Sequence, residues 1–308
     1  MLQLRDVEKP VPEEGQVLLK VHAASVNISD YYGITGFSRL FGGGVRRPKD
    51  PRVGGDVAGQ VEEVGTNVAR FRPGDEVFGV CRGSFAEYAV ARETRLALKP
   101  VNASFDEIAA VPVAGLTALQ CIRDKGRLQP GQDVAVNGAS GGVGTFAVQI
   151  AKSFGAVVTG VCSTRNLDQA RSIGADHVVD YTQGDFTRNG RSYDLICDIA
   201  GNRSVSDYKR ALKPGGTCLV VGLAKNPILG MAKFTVLGKL GSMTGNKKVR
   251  FMGIAKINPE DLGFMAELLT ARKVRPVIEK RYVLSEVGQA LQYIGGKHTR
   301  GKVIITVS

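Results

Sequence analysis

Val134-Ala135-Val136-Asn137-Gly138-Ala139-Ser140-Gly141-Gly142-Val143-Gly144 decides how this chain folds. It reads as an apolar strand, a glycine-rich turn and the start of a helix. The helix carries Val143, Phe146, Ala147, Ile150, Ala151 and Phe154 at helical spacing. A strand that turns on glycines into a helix presents bare backbone N–H groups at the positive end of the helix dipole. That is an anion cradle, and in this context a pyrophosphate cradle. The G-x-G-x-x-G fingerprint would place glycines at 139, 141 and 144, but position 139 is Ala. Gly138, Gly141 and Gly144 supply a spaced set instead. A plain tight turn is the other reading. The strand before it and the helix after it favour a dinucleotide site made by Gly138, Ser140, Gly141, Gly142, Val143 and Gly144.

On the C-terminal side of this turn, short apolar strands alternate with helices. Strands are expected near 133–137, 157–161, 177–179, 193–198, 217–221 and 249–254, a pattern that predicts a parallel sheet covered on both faces. On the N-terminal side the chain is β-rich. Val17 to Ala23, Gly59 to Gly65, Arg72 to Gly79 and Phe85 to Val90 read as short strands punctuated by Gly and Pro, which suggests a compact antiparallel barrel. The tail adds a helix from Pro259 to Ala271, a short strand, a helix from Leu284 to Tyr293 and a closing strand at Lys302 to Val307. The expected fold is α/β, a β-barrel domain plus a doubly wound parallel sheet. Residues 1–105 and 256–308 would form the first domain, and residues 106–255 the inserted nucleotide-binding domain.

Composition narrows the class. The 308 residues permit two domains, and 43% hydrophobic with 23% charged residues is ordinary for a globular protein. No apolar run approaches the ~20 residues of a membrane helix. The first residues, Met1 to Asp6, lack a basic-then-apolar leader pattern, so a cytoplasmic location is expected. Five cysteines, at 81, 121, 162, 197 and 218, form no CxxC pair, and the three histidines stand far apart; reduced thiols and no metal site are expected. A net charge of +12 favours anionic partners without choosing among them, and a solvated positive surface is the favoured explanation.

Further short stretches, in order, carry a family resemblance: Ser25-Val26-Asn27-Ile28-Ser29-Asp30, Gly54-Gly55-Asp56-Val57-Ala58-Gly59, Gly74-Asp75-Glu76-Val77, Phe85-Ala86-Glu87-Tyr88, Ala114 to Leu119 and Arg300-Gly301-Lys302-Val303. With the glycine turn, they make the chain resemble the zinc-free quinone oxidoreductase branch of the medium-chain dehydrogenase/reductase superfamily, including its zeta-crystallin-like and chloroplast-envelope members. The resemblance spans nearly the whole chain. It implies a GroES-like barrel domain plus a Rossmann domain with the cofactor in the cleft between them. It also implies reduction of quinones or α,β-unsaturated carbonyls with NADPH, and a homodimer. In zinc-dependent relatives a Cys and a His stand where this chain has Asn27 and Asp56, so a zinc-independent member is implied. Such proteins carry another strand before the segment at Leu2, so either the barrel edge is incomplete or the start is misassigned.

The cofactor choice draws on residues as well as resemblance. An NAD site carries an acid about 20 residues beyond the glycine turn. Here Gly160-Val161-Cys162-Ser163-Thr164-Arg165-Asn166 lacks it. Ser163 and Arg165 can hold a 2′-phosphate by charge-assisted bonds; alternatively Arg165 starts a solvent-facing helix. Tyr181 matches a family position near that phosphate, or simply packs. Asn27 and Tyr32 match a family pair beside the nicotinamide that would donate hydrogen bonds to a carbonyl oxygen as charge develops on it. The alternative is a turn Asn and a packed Tyr. Thr117 matches a position approaching the nicotinamide, or bonds back to its own helix. Gly222 and Leu223 follow the fifth strand at its carboxyl edge, and Phe251 and Gly253 lie on the sixth; each is either a cofactor contact or structural. Lys302 either approaches the cofactor or begins a strand in solvent.

The stretch Lys225 to Arg250 interleaves Ile228, Leu229, Met231, Phe234, Val236, Leu237 and Leu240 with six cations, Lys225, Lys233, Lys239, Lys247, Lys248 and Arg250. It suits a flap over the cofactor, a dimer surface or a weak contact with an acidic membrane. The function expected is NADPH-dependent hydride transfer to a quinone or enone, with protons supplied by water because no His is placed to serve. Two alternatives remain open: a nucleotide-regulated RNA- or membrane-binding protein, or an alcohol or enoyl-thioester reductase on the same scaffold. With 6% aromatics and no RNA motif, nucleic acid is not an expected partner.

Overall fold

The structure is a computed structural model, described here for residues 2–35, 52–222, 246–296 and 299–307. Two compact units emerge. The first holds Met1–Leu116, Lys256–Arg272 and Pro276–Ser308; the second holds Thr117–Ala255 and Lys273–Arg275.

The first unit is built around β1 (Gln16–Val26), an 11-residue strand that pairs with three others. Its C-terminal half pairs with β13 (Lys302–Thr306), its N-terminal half with β4 (Tyr88–Arg92), and its other edge with β2 (Asp56–Val64) along the length. β3 (Glu76–Val80) continues from β2, and β5 (Leu96–Leu98), a short strand without a sequence signal, from β3. β12 (Ile278–Val283) lies parallel to β13 at the opposite edge. The closing strand is thus an inner strand of the barrel sheet, flanked by β1 and β12. The interior is aliphatic: Val17, Leu19, Val21, Val57, Val61, Val77, Val303 and Ile305 are all 2% exposed or less. Two register shifts along β1 and β2 give the strands the curvature a barrel needs.

The first unit continues past the compositional change near residue 105. It includes α2 (Phe105–Ala109), capped by Ser104 through its bond from the Glu107 N–H, and most of α3 (Pro112–Leu119). The Val113 N–H donates to the Asp56 carboxylate at 3.0 Å, one polar reason this stretch stays with the barrel.

The second unit holds β6 (Asp133–Asn137), α4 (Gly142–Ser153), β7 (Val157–Cys162), α5 (Leu167–Ser172), β8 (His177–Asp180), β9 (Tyr193–Asp198), α6 (Val205–Ala211), β10 (Leu212–Val220) and β11 (Lys248–Phe251). The described strands pair in parallel in the order β11-β10-β9-β6-β7-β8. The chain moves outward from β6 in one direction, returns, and builds outward in the other. This is the doubly wound Rossmann arrangement, and it opens a crevice at the carboxyl ends of β6 and β9. Both faces of the strands are covered, so they are apolar throughout: Val134, Ala135, Val136, Val158, Val161, Leu195 and Ile196 are at most 1% exposed. The tail helices α7 (Pro259–Thr270) and α8 (Val287–Gly295) belong to the first unit. All five cysteines are free and buried.

Candidate active site and cofactor cradle

In the second unit, the glycine turn occupies the switch point that the topology defines. Gly138 takes a φ of +94°, a left-handed conformation that favours glycine. A Cβ on Gly144 would stand 2.0 Å from the Gly138 carbonyl oxygen, so turn and helix approach too closely for any other residue. The Ala at position 139 is tolerated because its side chain is buried, with Gly160 on β7 leaving the room; a Cβ there would come within 3.3 Å of the Ala139 methyl. The N-terminus of α4 has no side-chain cap and no acidic residue in its first turn. Its first N–H groups are therefore left for a ligand, and nothing nearby on the helix repels an anion. Ser140, Gly141, Gly142 and Val143 all line this turn and are half-buried. The donor set fits a pyrophosphate.

The ribose-side candidates are brought together. Ser163 directly follows β7, and the Tyr181 N–H donates to the Cys162 carbonyl at 3.0 Å, so Tyr181 leaves β8 beside it. Arg165 is exposed in the turn Thr164–Asn166. Asn166 ties this region to the glycine turn: its Nδ2 donates to Ser140 Oγ at 3.0 Å and to Ser163 Oγ at 3.2 Å. A carboxylate does stand here, although it comes from β8 and not from the end of β7. Asp180 pairs in register with Cys162, and its oxygens are taken by the Thr164 and Thr182 hydroxyls, bonds that hold its carboxyl below the usual range.

At the carboxyl edge of β9, Asp198 has no sequence signal beyond its place in an apolar run. It is fully buried and accepts from Asn137 Nδ2 at 2.7 Å, from the Gly201 N–H at 3.2 Å and from the Tyr208 hydroxyl. Its backbone carbonyl accepts from Val221 and Gly222. One residue thus braces the ends of β6, β9 and β10. Burial pushes its carboxyl up to about 6, against hydrogen bonds from Tyr208 and Asn137 that favour the charged form. A carboxyl raised on folding contributes its stability fully below about pH 4, and that contribution is lost as pH rises through about 6. Tyr208→Phe removes a donor to the charged form. It should cost about 1–3 kcal/mol, with a larger deficit near pH 8 than near pH 5 in denaturant titrations.

The remaining second-unit candidates are placed as follows. Gly222 sits where a Cβ would come 1.9 Å from the Ile199 carbonyl oxygen, so its smallness serves the backbone crossing. Phe251 ends β11 and packs against the sheet core, but Gly253 lies beyond the strand and not on it, as its φ of +85° is incompatible with extended backbone; open space surrounds it. Thr117 is half-buried on α3. Leu223 lies outside the described residues, as does nearly all of the basic stretch from Lys225.

In the first unit, strand register assembles a polar cluster that no local pattern announces. Ser25 stands opposite Asp56 on β2 and opposite Ile304 on β13, and Val26 opposite Val303. Asn27, which begins the turn into α1 (Ile28–Ile34), therefore meets both Asp56 and Lys302. Asp56 Oδ2 accepts from Ser25 Oγ at 2.7 Å, from Asn27 Nδ2 at 2.8 Å and from Lys302 Nζ at 3.4 Å; Lys302 Nζ also donates to Asn27 Oδ1 at 2.7 Å. Asp56 is 0% and Lys302 3% exposed, so this is a buried ion pair with its remaining valences filled by hydrogen bonds. The Asn27 N–H donates to Asp30 Oδ2 at 2.7 Å. Burial pushes the Asp30 carboxyl up to about 7, with that N–H bond opposing and the nearby Asp56 charge adding to the rise. Tyr32 is half-buried on α1, its ring tilted against Tyr31 at 6.1 Å. Asn27 and Lys302, separate candidates in the sequence, are thus direct partners. Among the described residues, no group of three or more His, Cys, Asp or Glu is close enough to hold a metal ion.

A barrel unit carrying a buried polar cluster, together with a doubly wound unit carrying a pyrophosphate cradle, defines the dinucleotide-dependent dehydrogenase/reductase class. Comparison with known proteins agrees. Residues 13–101 match the alcohol dehydrogenase GroES-like domain family, and residues 173–305 a family described as zinc-binding dehydrogenase. The chain is 34% identical over 312 residues to the chloroplast envelope quinone oxidoreductase homolog of Arabidopsis thaliana, covering 97% of this chain and 92% of that protein. It is 32% identical over 326 residues to the mitochondrial NAD(P)H oxidoreductase RTN4IP1 of Mus musculus, covering 95% and 82%. Among solved structures, the quinone oxidoreductase from Coxiella burnetii superposes with a TM-score of 0.86 at 28% identity, covering 99% of this chain and 95% of that one. The chain belongs to the quinone oxidoreductase branch of the medium-chain dehydrogenase/reductase superfamily.

Proposed function

We propose that this oxidoreductase uses NADPH to reduce a quinone or an α,β-unsaturated carbonyl, without zinc. The observation that carries the reading is the uncapped, acid-free N-terminus of α4 behind the Gly138–Gly144 contact, which fits a dinucleotide diphosphate. Relatives named for quinone or NAD(P)H oxidoreduction support the substrate and cofactor class.

Bound at this cradle, the reduced nicotinamide supplies a hydride to an electron-poor carbon or quinone. Backbone N–H groups at the start of α4 would hold the diphosphate. Ser163, Arg165 and Tyr181 would take the ribose substituent, with the Asp180 charge occupied by the Thr164 and Thr182 hydroxyls. In the barrel unit, the Asn27 amide and the Tyr32 phenol donate to the substrate oxygen as negative charge develops there. The buried Lys302 ammonium donates to Asn27 Oδ1 and is paired with Asp56. The same reading includes a homodimer, a cytoplasmic site of action and no nucleic-acid partner; sedimentation and cell fractionation test these.

The test is NADPH oxidation against a panel of quinones, 2-alkenals and enones, repeated with NADH and with a chelator. NADPH should be preferred, and the chelator should have no effect. Arg165→Glu should lower kcat/KM for NADPH about tenfold and leave NADH nearly unchanged, as expected for loss of one charge-assisted phosphate contact. An unchanged NADPH to NADH ratio would remove Arg165 from the site.

A further inference from the structure

We infer that Lys302 and Asp56 act as positioning residues that hold the Asn27 amide in one of its two flip orientations. The inference rests on the proposed role of Asn27 as a donor to the substrate oxygen. An asparagine amide is nearly symmetric in shape, so nothing steric decides which end carries the donors. Here chemistry decides it. A lysine ammonium only donates, and it lies 2.7 Å from Oδ1. The Asp56 oxygen 2.8 Å from Nδ2 also receives Ser25 and Lys302, and a carboxylate collecting donors only accepts. Flipping the amide would set NH2 against ammonium and carbonyl against carboxylate, two buried repulsions at once.

The positioner is itself fixed. Asp56 is anchored by the Val113 N–H at 3.0 Å on its other oxygen, and Ser25 stands opposite it in strand register. Lys302 is 3% exposed, and its charge is neutralised inside the cluster by Asp56. A cation committed in this way is poorly suited to serve a cofactor phosphate. With Oδ1 and one N–H of Nδ2 engaged, the second N–H is the part of the Asn27 side chain left to donate. The ion pair therefore converts an ambivalent amide into a dedicated donor, an expensive arrangement that two apolar residues would not need.

The experiment separates positioning from cofactor binding by a split between kcat and KM. The protein is assayed with NADPH and 1,4-naphthoquinone as Asn27→Ala, Lys302→Arg and the double variant Asp56→Asn with Lys302→Gln. The double variant replaces the ion pair with two amides of similar size. It leaves no unpaired buried charge, and circular dichroism checks its fold. Because amides donate and accept, it lets Asn27 flip. It should lower kcat by about tenfold to a hundredfold, with KM for NADPH within about twofold of the parent. Lys302→Arg keeps a pure donor and should recover most of kcat. Parental kcat in the double variant overturns the inference, and so does a raised KM for NADPH with kcat intact, which would assign Lys302 to the phosphate. If Asn27→Ala is itself silent, the role of Asn27 fails and the inference falls with it. If Asn27→Ala is impaired while the double variant is not, the inference alone fails.

Discussion

Gly144→Val is expected to abolish the response to NADPH and to reduce turnover by at least about a thousandfold. The first atom of any side chain at this position would sit 2.0 Å from the Gly138 oxygen, 2.8 Å from the Gly138 carbonyl carbon and 2.9 Å from that of Ala139. All three are backbone atoms, so no rotamer change relieves the clash. Either α4 shifts outward along its length or the turn opens, and in both cases the N–H groups no longer converge. Thr145, Phe146, Ala147 and Val148, all fully buried, resist the first route. Forced overpacking of this kind costs about 1–3 kcal/mol or more. Parental protein at a hundredfold excess of NADPH over its Kd should gain about 2.7 kcal/mol from ligand linkage, read as a rise in Tm. The variant should melt earlier and show no such rise. A variant that binds NADPH with parental affinity would remove the diphosphate from this turn.

Asn27→Ala carries the second large effect. Loss of one preorganised donor to a developing oxyanion costs about 10²–10³ in kcat. Asn27 belongs to the barrel unit and has no part in the proposed diphosphate contacts, so KM for NADPH should stay within about twofold. Its removal also leaves Lys302 and Asp56 each short of one hydrogen bond, so a drop of about 1–3 kcal/mol in stability should accompany it. Steady-state kinetics with saturating NADPH, paired with denaturant titration, separates the two effects. An Asn27→Ala protein that is destabilised yet fully active would make the residue purely structural.

What the sequence reveals of this molecule follows contact range. The glycine turn is legible because everything that defines it, Gly138 to Gly144, lies within one strand–turn–helix. The alternation of strands and helices beyond residue 130 is legible for the same reason, since each βα pair is local. The barrel is legible only as strands. That Lys302 joins Asp56 across 246 residues follows from the pairing of β1 with both β2 and β13, which periodicity does not encode. Asp180 shows the same limit on a smaller scale: the end of β7 carries no acid, but the parallel register of β8 brings one beside Cys162. Asp198 is hidden differently. In sequence it is one polar residue closing an apolar strand, and only the folded positions of Asn137, Gly201 and Tyr208 make it the brace of the switch point.

The proposed function turns on metal-free hydride transfer from NADPH. The most direct measurement follows NADPH, 4-deuterated on either face, with chelator-treated protein and a quinone or enone acceptor. One NADPH should be consumed per acceptor reduced, at a rate unaffected by chelation and slower with one of the two deuterated forms. No NADPH consumption with any acceptor, or activity lost on chelation and restored by zinc, would contradict it.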